Sequence, residues 1–164
     1  MTKQFNTGET QETLRQDYNP DGSVLRRAQM RMLDMAIYLQ ETAKKIGVPL
    51  RLDGGNVLGA LRHGGFIPWD DDIDMVVSQK DFKRLCDYLK VHPHPHYVLQ
   101  DNSTDRGFYK EWACLRDLRT ENRSHETSES ENRRIHEAQK YRGLHVDIFP
   151  YEGNMIPWLQ HFAA

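Results

Sequence analysis

Residues 52–77 read LDGGNVLGALRHGGFIPWDDDIDMVV, and this stretch decides the fold. Just before it, Val48 to Asp53 alternates apolar and polar residues, which predicts a short strand with Leu50 and Leu52 facing one way. Gly54-Gly55 ends the strand, and Val57, Leu58, Ala60 and Leu61 predict a short helix beginning directly on the glycines. A strand, a glycine turn and a helix N-terminus present backbone N–H groups and a positive dipole end, which suit a phosphate. Glycine pairs alone commonly do no more than turn the chain. Arg62 and His63, followed by Gly64-Gly65, either cap the helix or face the same anion. After the hinge Phe66-Ile67-Pro68-Trp69 come four carboxylates: Asp70, Asp71, Asp72 and Asp74. The two-residue strand period puts Ile73, Met75 and Val77 on one face and Asp72, Asp74 and Val76 on the other. Neighbouring carboxylates repel unless a cation neutralises them. Hard oxygen ligands suit magnesium or manganese. A solvated acidic turn leaves the alternation with Ile73 and Met75 unexplained. Asp70 and Asp71 read as turn formers that hold the Gly64-Gly65 segment.

Working outward, residues 1–20 are polar and aperiodic and read as a mobile arm, docking at Leu14 or Tyr18, ahead of one domain spanning 21–164. Asp21-Gly22-Ser23 offers capping chemistry for a helix carrying Leu25, Ala28, Met32, Met35, Leu39, Ala43 and Ile46, closed by Gly47. Downstream, Asp81 is expected to cap a helix with Phe82, Leu85, Cys86 and Leu89 on one face. His92-Pro93-His94-Pro95-His96 reads as an extended exposed loop, with zinc binding as the sharper alternative. Tyr97 to Leu99 and Phe108 to Leu118 predict strands, the second placing Lys110, Trp112 and Cys114 on one face. Cys114 reads as buried packing or, more sharply, as a nucleophile. Thr120 to Gln139 reads as a solvated loop or marginal helix, or as an acceptor-binding flap in which Arg133 and Arg134 meet phosphate. Leu144 to Phe149 alternates again, ends at Pro150, and puts His145, Asp147 and Phe149 opposite Leu144, Val146 and Ile148. Asp147, flanked by Val146 and Ile148, demands a partner, which a metal on Asp72 and Asp74 would supply. Ile156, Trp158, Leu159 and Phe162 start another helix.

Composition narrows the class. With 164 residues the chain is one domain by length. Apolar residues make up 38%, charged residues 28%, and the mean hydropathy is −0.78, polar for a globular protein. A net charge of −2 provides no basic footprint for nucleic acid. The two cysteines, Cys86 and Cys114, form no disulfide framework and suit a reducing compartment. No apolar run is long enough for a membrane span and no signal peptide is evident. The expected location is cytoplasmic, with the inner face of the membrane as a possible working place.

The pattern L-D-G-G-x-x-L-G-A-x-R-H-x-G-F-I-P-W-D-D-D-I-D, with the later V-D-I-F-P at Val146 to Pro150, resembles the LicD family, which includes fukutin-related proteins. That family belongs to the nucleotidyltransferase superfamily shared with DNA polymerase beta. The resemblance implies an α+β fold, a nucleotidyltransferase-like mixed β-sheet with helices packed on it. It implies transfer of a phosphorylated alcohol, such as phosphocholine or ribitol phosphate, from a CDP-activated donor to a hydroxyl of a surface glycan or glycolipid. In lipopolysaccharide or teichoic acid modification, CDP-choline is the best-known donor. Carried onto this chain, Gly54 and Gly55 hold donor phosphates, while Asp72, Asp74 and Asp147 bind Mg2+ (or Mn2+) and form the catalytic set. Family members often carry lysine where Cys114 stands, so Lys110 or Arg116 is expected to substitute in binding phosphate, beside Arg62. Asn56 stands where threonine is common and is expected to cap the helix at the same phosphate site. Members usually continue well past Pro150, so a shortened C-terminus is expected. Two other readings stay open: nucleotidyl transfer of NMP to a small molecule or protein, and a catalytically weak nucleotide- or metal-binding module.

Overall fold

A computed structural model of the chain describes residues 10–122 and 130–152, with side chains from residue 134 onward in the second segment. The helix expected around Ile156, Trp158, Leu159 and Phe162, and the Arg133 side chain, lie outside the described residues. Helix α1, Gln11–Tyr18, falls within the stretch read as an arm, and the Tyr18 ring meets Trp69 edge-on at 5.1 Å. Helix α2, Val24–Lys45, starts at Ser23, whose hydroxyl accepts the Arg26 N–H, and buries Met32, Met35 and Leu39 along one face. Beyond it the chain passes Gly47, at φ +66°, a backbone region that glycine enters without steric cost.

Strands β1 (Leu50–Leu52), β2 (Asp74–Ser78), β3 (Tyr97–Gln100), β4 (Ala113–Asp117) and β5 (His145–Tyr151) form one sheet in the order β1-β2-β5-β4-β3. Only β2 and β5 run parallel; the other neighbours are antiparallel. Helices plus an open mixed sheet give the expected α+β architecture. Helix α2 and helix α4 (Gln79–Val91) share one core with Met75, Val77, Leu99, Ala113, Leu115, Val146 and Ile148. Burying each of these side chains other than Ala113 contributes about 1.5–3 kcal/mol. The strand residues that alternate with them, Asp74, Cys114, Arg116, His145 and Asp147, therefore belong to the other face.

Several expectations change in detail. Asp72 lies ahead of β2, which begins only at Asp74, because β1 pairs no further along than Leu52 opposite Met75. Ser78, not Asp81, caps α4; its hydroxyl accepts the Asp81 N–H and donates to the Asp81 carboxylate. Residues 108–112 are irregular, and β4 starts at Ala113. Strand β5 runs through Pro150 to Tyr151. Its pairing with β4 stops at Ile148, so Pro150 needs only its β2 neighbour Val77 and costs no bond on the other side. Helix α5, Ser130–Ala138, occupies part of the segment read as loop or marginal helix.

Candidate active site

Helix α3, Gly54–His63, begins directly after β1. Asp53 is its N-cap residue but makes no side-chain capping bond, so the first amides are not spent on a cap. Gly54 adopts φ +53°, and a side chain there would come within 3.8 Å of Asp74 Oδ2. A side chain on Gly55 would come within 3.2 Å of Asp70 Oδ2. The helix N-terminus thus opens onto carboxylates; Gly54 is required there by its backbone conformation and Gly55 by the close approach of Asp70.

Asp74 and Asp147 are directly opposed on the parallel strands β2 and β5. The Asp147 N–H donates to the Ile73 carbonyl at 3.0 Å, tying the segment before β2 to β5. Partial burial pushes the Asp74 carboxyl up to about 6, reinforced by repulsion from Asp72, Asp147 and Asp53. Desolvation, then Asp70, Asp71 and Asp147, pushes Asp72 upward too. Asp72, Asp74 and Asp147 therefore share one electrostatic site. The tightest acidic grouping among the described residues is Asp70, Asp71 and Asp72, whose oxygens lie within 4.8 Å; it does not extend to Asp74 and Asp147. Asp70, read as a turn former, points Oδ2 toward Gly55 without a hydrogen-bond partner, and burial raises its pKa.

Asp147 alone of the three carries a cation. Lys110 Nζ donates to Asp147 Oδ1 at 2.9 Å and to Oδ2 at 2.8 Å, and the His145 Nε2 lies 3.5 Å from Oδ2. Burial tends to raise the Asp147 pKa, but His145 and Lys110 outweigh it and hold the carboxyl at about 2. His145 is the site residue that sequence reasoning left without a role, although its place two residues before Asp147 on the same strand face was the signal. Arg116 at Nδ1 and Lys110 at Nε2 each lie 3.0 Å from the His145 ring and can only donate, so the neutral imidazole, favoured by burial, accepts from one of them and turns its N–H toward the other. Its one lone pair is engaged either way, which leaves it no role as a base.

The other phosphate candidates are placed differently. Asn56 is buried, and its side chain reaches the acidic segment: Oδ1 accepts the Asp74 N–H at 2.6 Å and Nδ2 donates to the Asp72 carbonyl at 3.1 Å. Arg62 is exposed in the last turn of α3, about 12 Å along the axis from Gly54 at 1.5 Å per residue. Arg116 is buried, and its guanidinium donates to Gln100, the Gly143 carbonyl and Gln139 besides His145. It holds β4 to the 139–145 segment. Cys114 is fully buried, and burial pushes its thiol up to about 12, which suits packing and not a nucleophile. His94 stacks on Tyr97 at 4.5 Å and His92 on Tyr88 at 3.8 Å, so these imidazoles cover tyrosines. No metal-competent grouping among the described residues includes them.

The donor chemistry of Asp72, Asp74 and Asp147, carboxylate oxygen throughout, suits a hard divalent cation, and the first two have no ion-pair partner among the described residues. Lys110 occupies Asp147, and no grouping within 4.8 Å among the described residues takes in Asp74 and Asp147, so these side chains would have to draw together on a cation.

The family model described as LicD/FKTN/FKRP, nucleotidyltransferase domain, matches residues 47–162. A lipopolysaccharide cholinephosphotransferase LicD from Haemophilus influenzae is 30% identical over 131 residues, covering 79% of this chain and 44% of that protein. The ribitol 5-phosphate transferase FKRP of Mus musculus is 33% identical over 135 residues, covering 75% of this chain and 23% of that protein. The human FKRP is 32% identical over the same length. The chain spans less than half the length of these curated relatives.

Proposed function

Because the chain belongs to the LicD/FKTN/FKRP family of nucleotidyltransferase domains, we propose that it transfers a phosphorylated alcohol, phosphocholine or similar, from a CDP-activated donor to a hydroxyl of a surface glycan or glycolipid. The observation that carries this reading is the register of Asp74 with Asp147 beside the N-terminus of α3. That arrangement sets negative oxygen ligands next to backbone amides, the two things a diphosphate with a divalent cation needs.

Asp72, Asp74 and Asp147 would hold magnesium or manganese, which when bound supplies charge neutralisation at the donor phosphates and the leaving CMP. The uncapped amides at Gly54 and Gly55 bind phosphate oxygens and fix the donor in line with the acceptor. Asp74 or Asp147 takes the proton from the acceptor hydroxyl at a carboxylate oxygen. Asn56 and His145 hold these carboxylates without touching the reacting atoms.

The test incubates the protein with CDP-choline or CDP-ribitol, magnesium and a glycolipid extract, following phosphorus NMR. CMP release with the phosphorylated alcohol retained on the acceptor is expected, lost in Asp74→Ala and Asp147→Asn. Retention of the nucleotide on the product would instead establish nucleotidyl transfer. Full turnover in the double variant Asp72→Ala/Asp74→Ala would sink the assignment.

No helix among the described residues is long and apolar enough to cross a membrane.

A further inference from the structure

Lys110 lies in the irregular segment before β4, yet its side chain is largely shielded, with 12% of its surface exposed, and so is Asp147 with 11%. Its ammonium contacts both Asp147 oxygens, at 2.9 and 2.8 Å. The third polar atom within reach is His145 Nε2, at 3.0 Å. Arg116 meets Nδ1 of the same ring at 3.0 Å, and since both cations only donate, the neutral imidazole accepts from one of them at most. The Trp112 ring lies 5.3 Å away and gives only a weak cation–π contact. Asp147 is thus the only anionic acceptor of Lys110 among the described residues.

Lys110 takes one acceptor position on each Asp147 oxygen and sets a positive charge against the carboxylate, which repels a second cation there. We infer that Lys110 is a resident counter-ion that competes with a divalent cation for Asp147 and is displaced when the cation binds. The displaced ammonium then turns from the carboxylate toward the donor phosphate. This rests on the metal-dependent reading above and assigns Lys110 a competitive role in it: the same side chain weakens metal binding and serves the donor. It also makes the two ligands cooperative, since a phosphate gives the displaced ammonium a new acceptor.

The test uses the full chain and Mn2+ alone at fixed pH and salt, with free Mn2+ read by electron paramagnetic resonance. Lys110→Met keeps the aliphatic stem and removes the charge. It should bind Mn2+ roughly tenfold more tightly than the parent, the scale of a partly buried ion pair removed from competition. Binding equal to or weaker than the parent overturns the inference and leaves the metal reading standing. Failure of the parent protein to bind Mn2+ overturns both. A second measurement needs no variant: acetylation of Lys110 in the parent protein, read by peptide mass spectrometry, should rise severalfold when Mn2+ is added. Unchanged labelling on saturation with Mn2+ overturns the displacement.

Discussion

Asn56 stands in the first turn of α3, and its amide bridges the backbone on either side of Ile73, accepting from Asp74 and donating to the Asp72 carbonyl. Removing that amide orphans a backbone N–H and C=O beside two carboxylates, at a cost of about 1–3 kcal/mol. Asn56→Ala should therefore lower the melting temperature and weaken Mn2+ binding at least severalfold, although no ligand is removed. Retained affinity in calorimetry would show that the acids are held by some other means. Sequence alone placed Asn56 at a helix start, where a cap is the local expectation. Its true partners lie 16 and 18 residues further on. The same limit explains the two arginines. Charge and proximity to the motif made Arg62 and Arg116 phosphate candidates, but whether a guanidinium is free depends on packing that no spacing records. The contact between Lys110 and Asp147, 37 residues apart in the chain, was not legible either.

At the scale of elements, α3 and the hinge behave as one body. A side chain on Gly59 would fall 2.5 Å from the Gly65 carbonyl oxygen and 2.9 Å from the Ile67 nitrogen, both backbone atoms. Gln29, fully buried on α2, braces the hinge from behind, donating to the Asp70 carbonyl at 2.8 Å. Gly59→Ala must push helix and hinge apart, for a loss of about 2–4 kcal/mol read by denaturant unfolding. The displacement would also carry Asp72 away from Asp74, so metal binding should fall with stability. A variant as stable as the parent would mean that the hinge yields without cost. Helices α2, α3 and α4 and strands β1, β3 and β5 were readable because each carries its own periodicity or punctuation. The beginning of β2 was not, since alternation continues through Asp72 while the partner strand does not. The end of β5 was missed because the tolerance for Pro150 depends on where β4 stops.

For the whole molecule, the sheet order assembles the site by bringing β5 beside β2 across 73 residues of chain (147 − 74). The resulting crowding of like charge works against folding and gives stability an unusual pH response. A folded-state pKa raised to about 6 means that Asp74 binds its proton more readily in the folded chain, so ionising it above that pH opposes folding. Asp147 has the opposite sign. Held at about 2, it contributes stability above the ordinary carboxylate range and loses it only as pH falls toward 2. Between pH 7.5 and 5 the Asp147 pair is therefore constant, while Asp74 relaxes. His63, His94 and His145, whose pKa values are lowered by burial, lose stability over the same window and mask the effect in the parent protein alone. Comparison with Asp74→Asn cancels them. In EDTA at pH 7.5 the asparagine variant should be the more stable by about 1 kcal/mol after allowance for solvent screening, some 2–4 °C in melting temperature. The difference should fall to roughly half by pH 5, where the folded carboxyl is protonated, and vanish only below about pH 4, where the unfolded carboxyl is protonated too. Added Mn2+ should reverse the order at pH 7.5, stabilising the parent and leaving the variant unmoved. A variant less stable than the parent in EDTA at pH 7.5 would mean that the site is already neutralised from within. In that case the convergence of Asp72, Asp74 and Asp147 would need no cation to explain it.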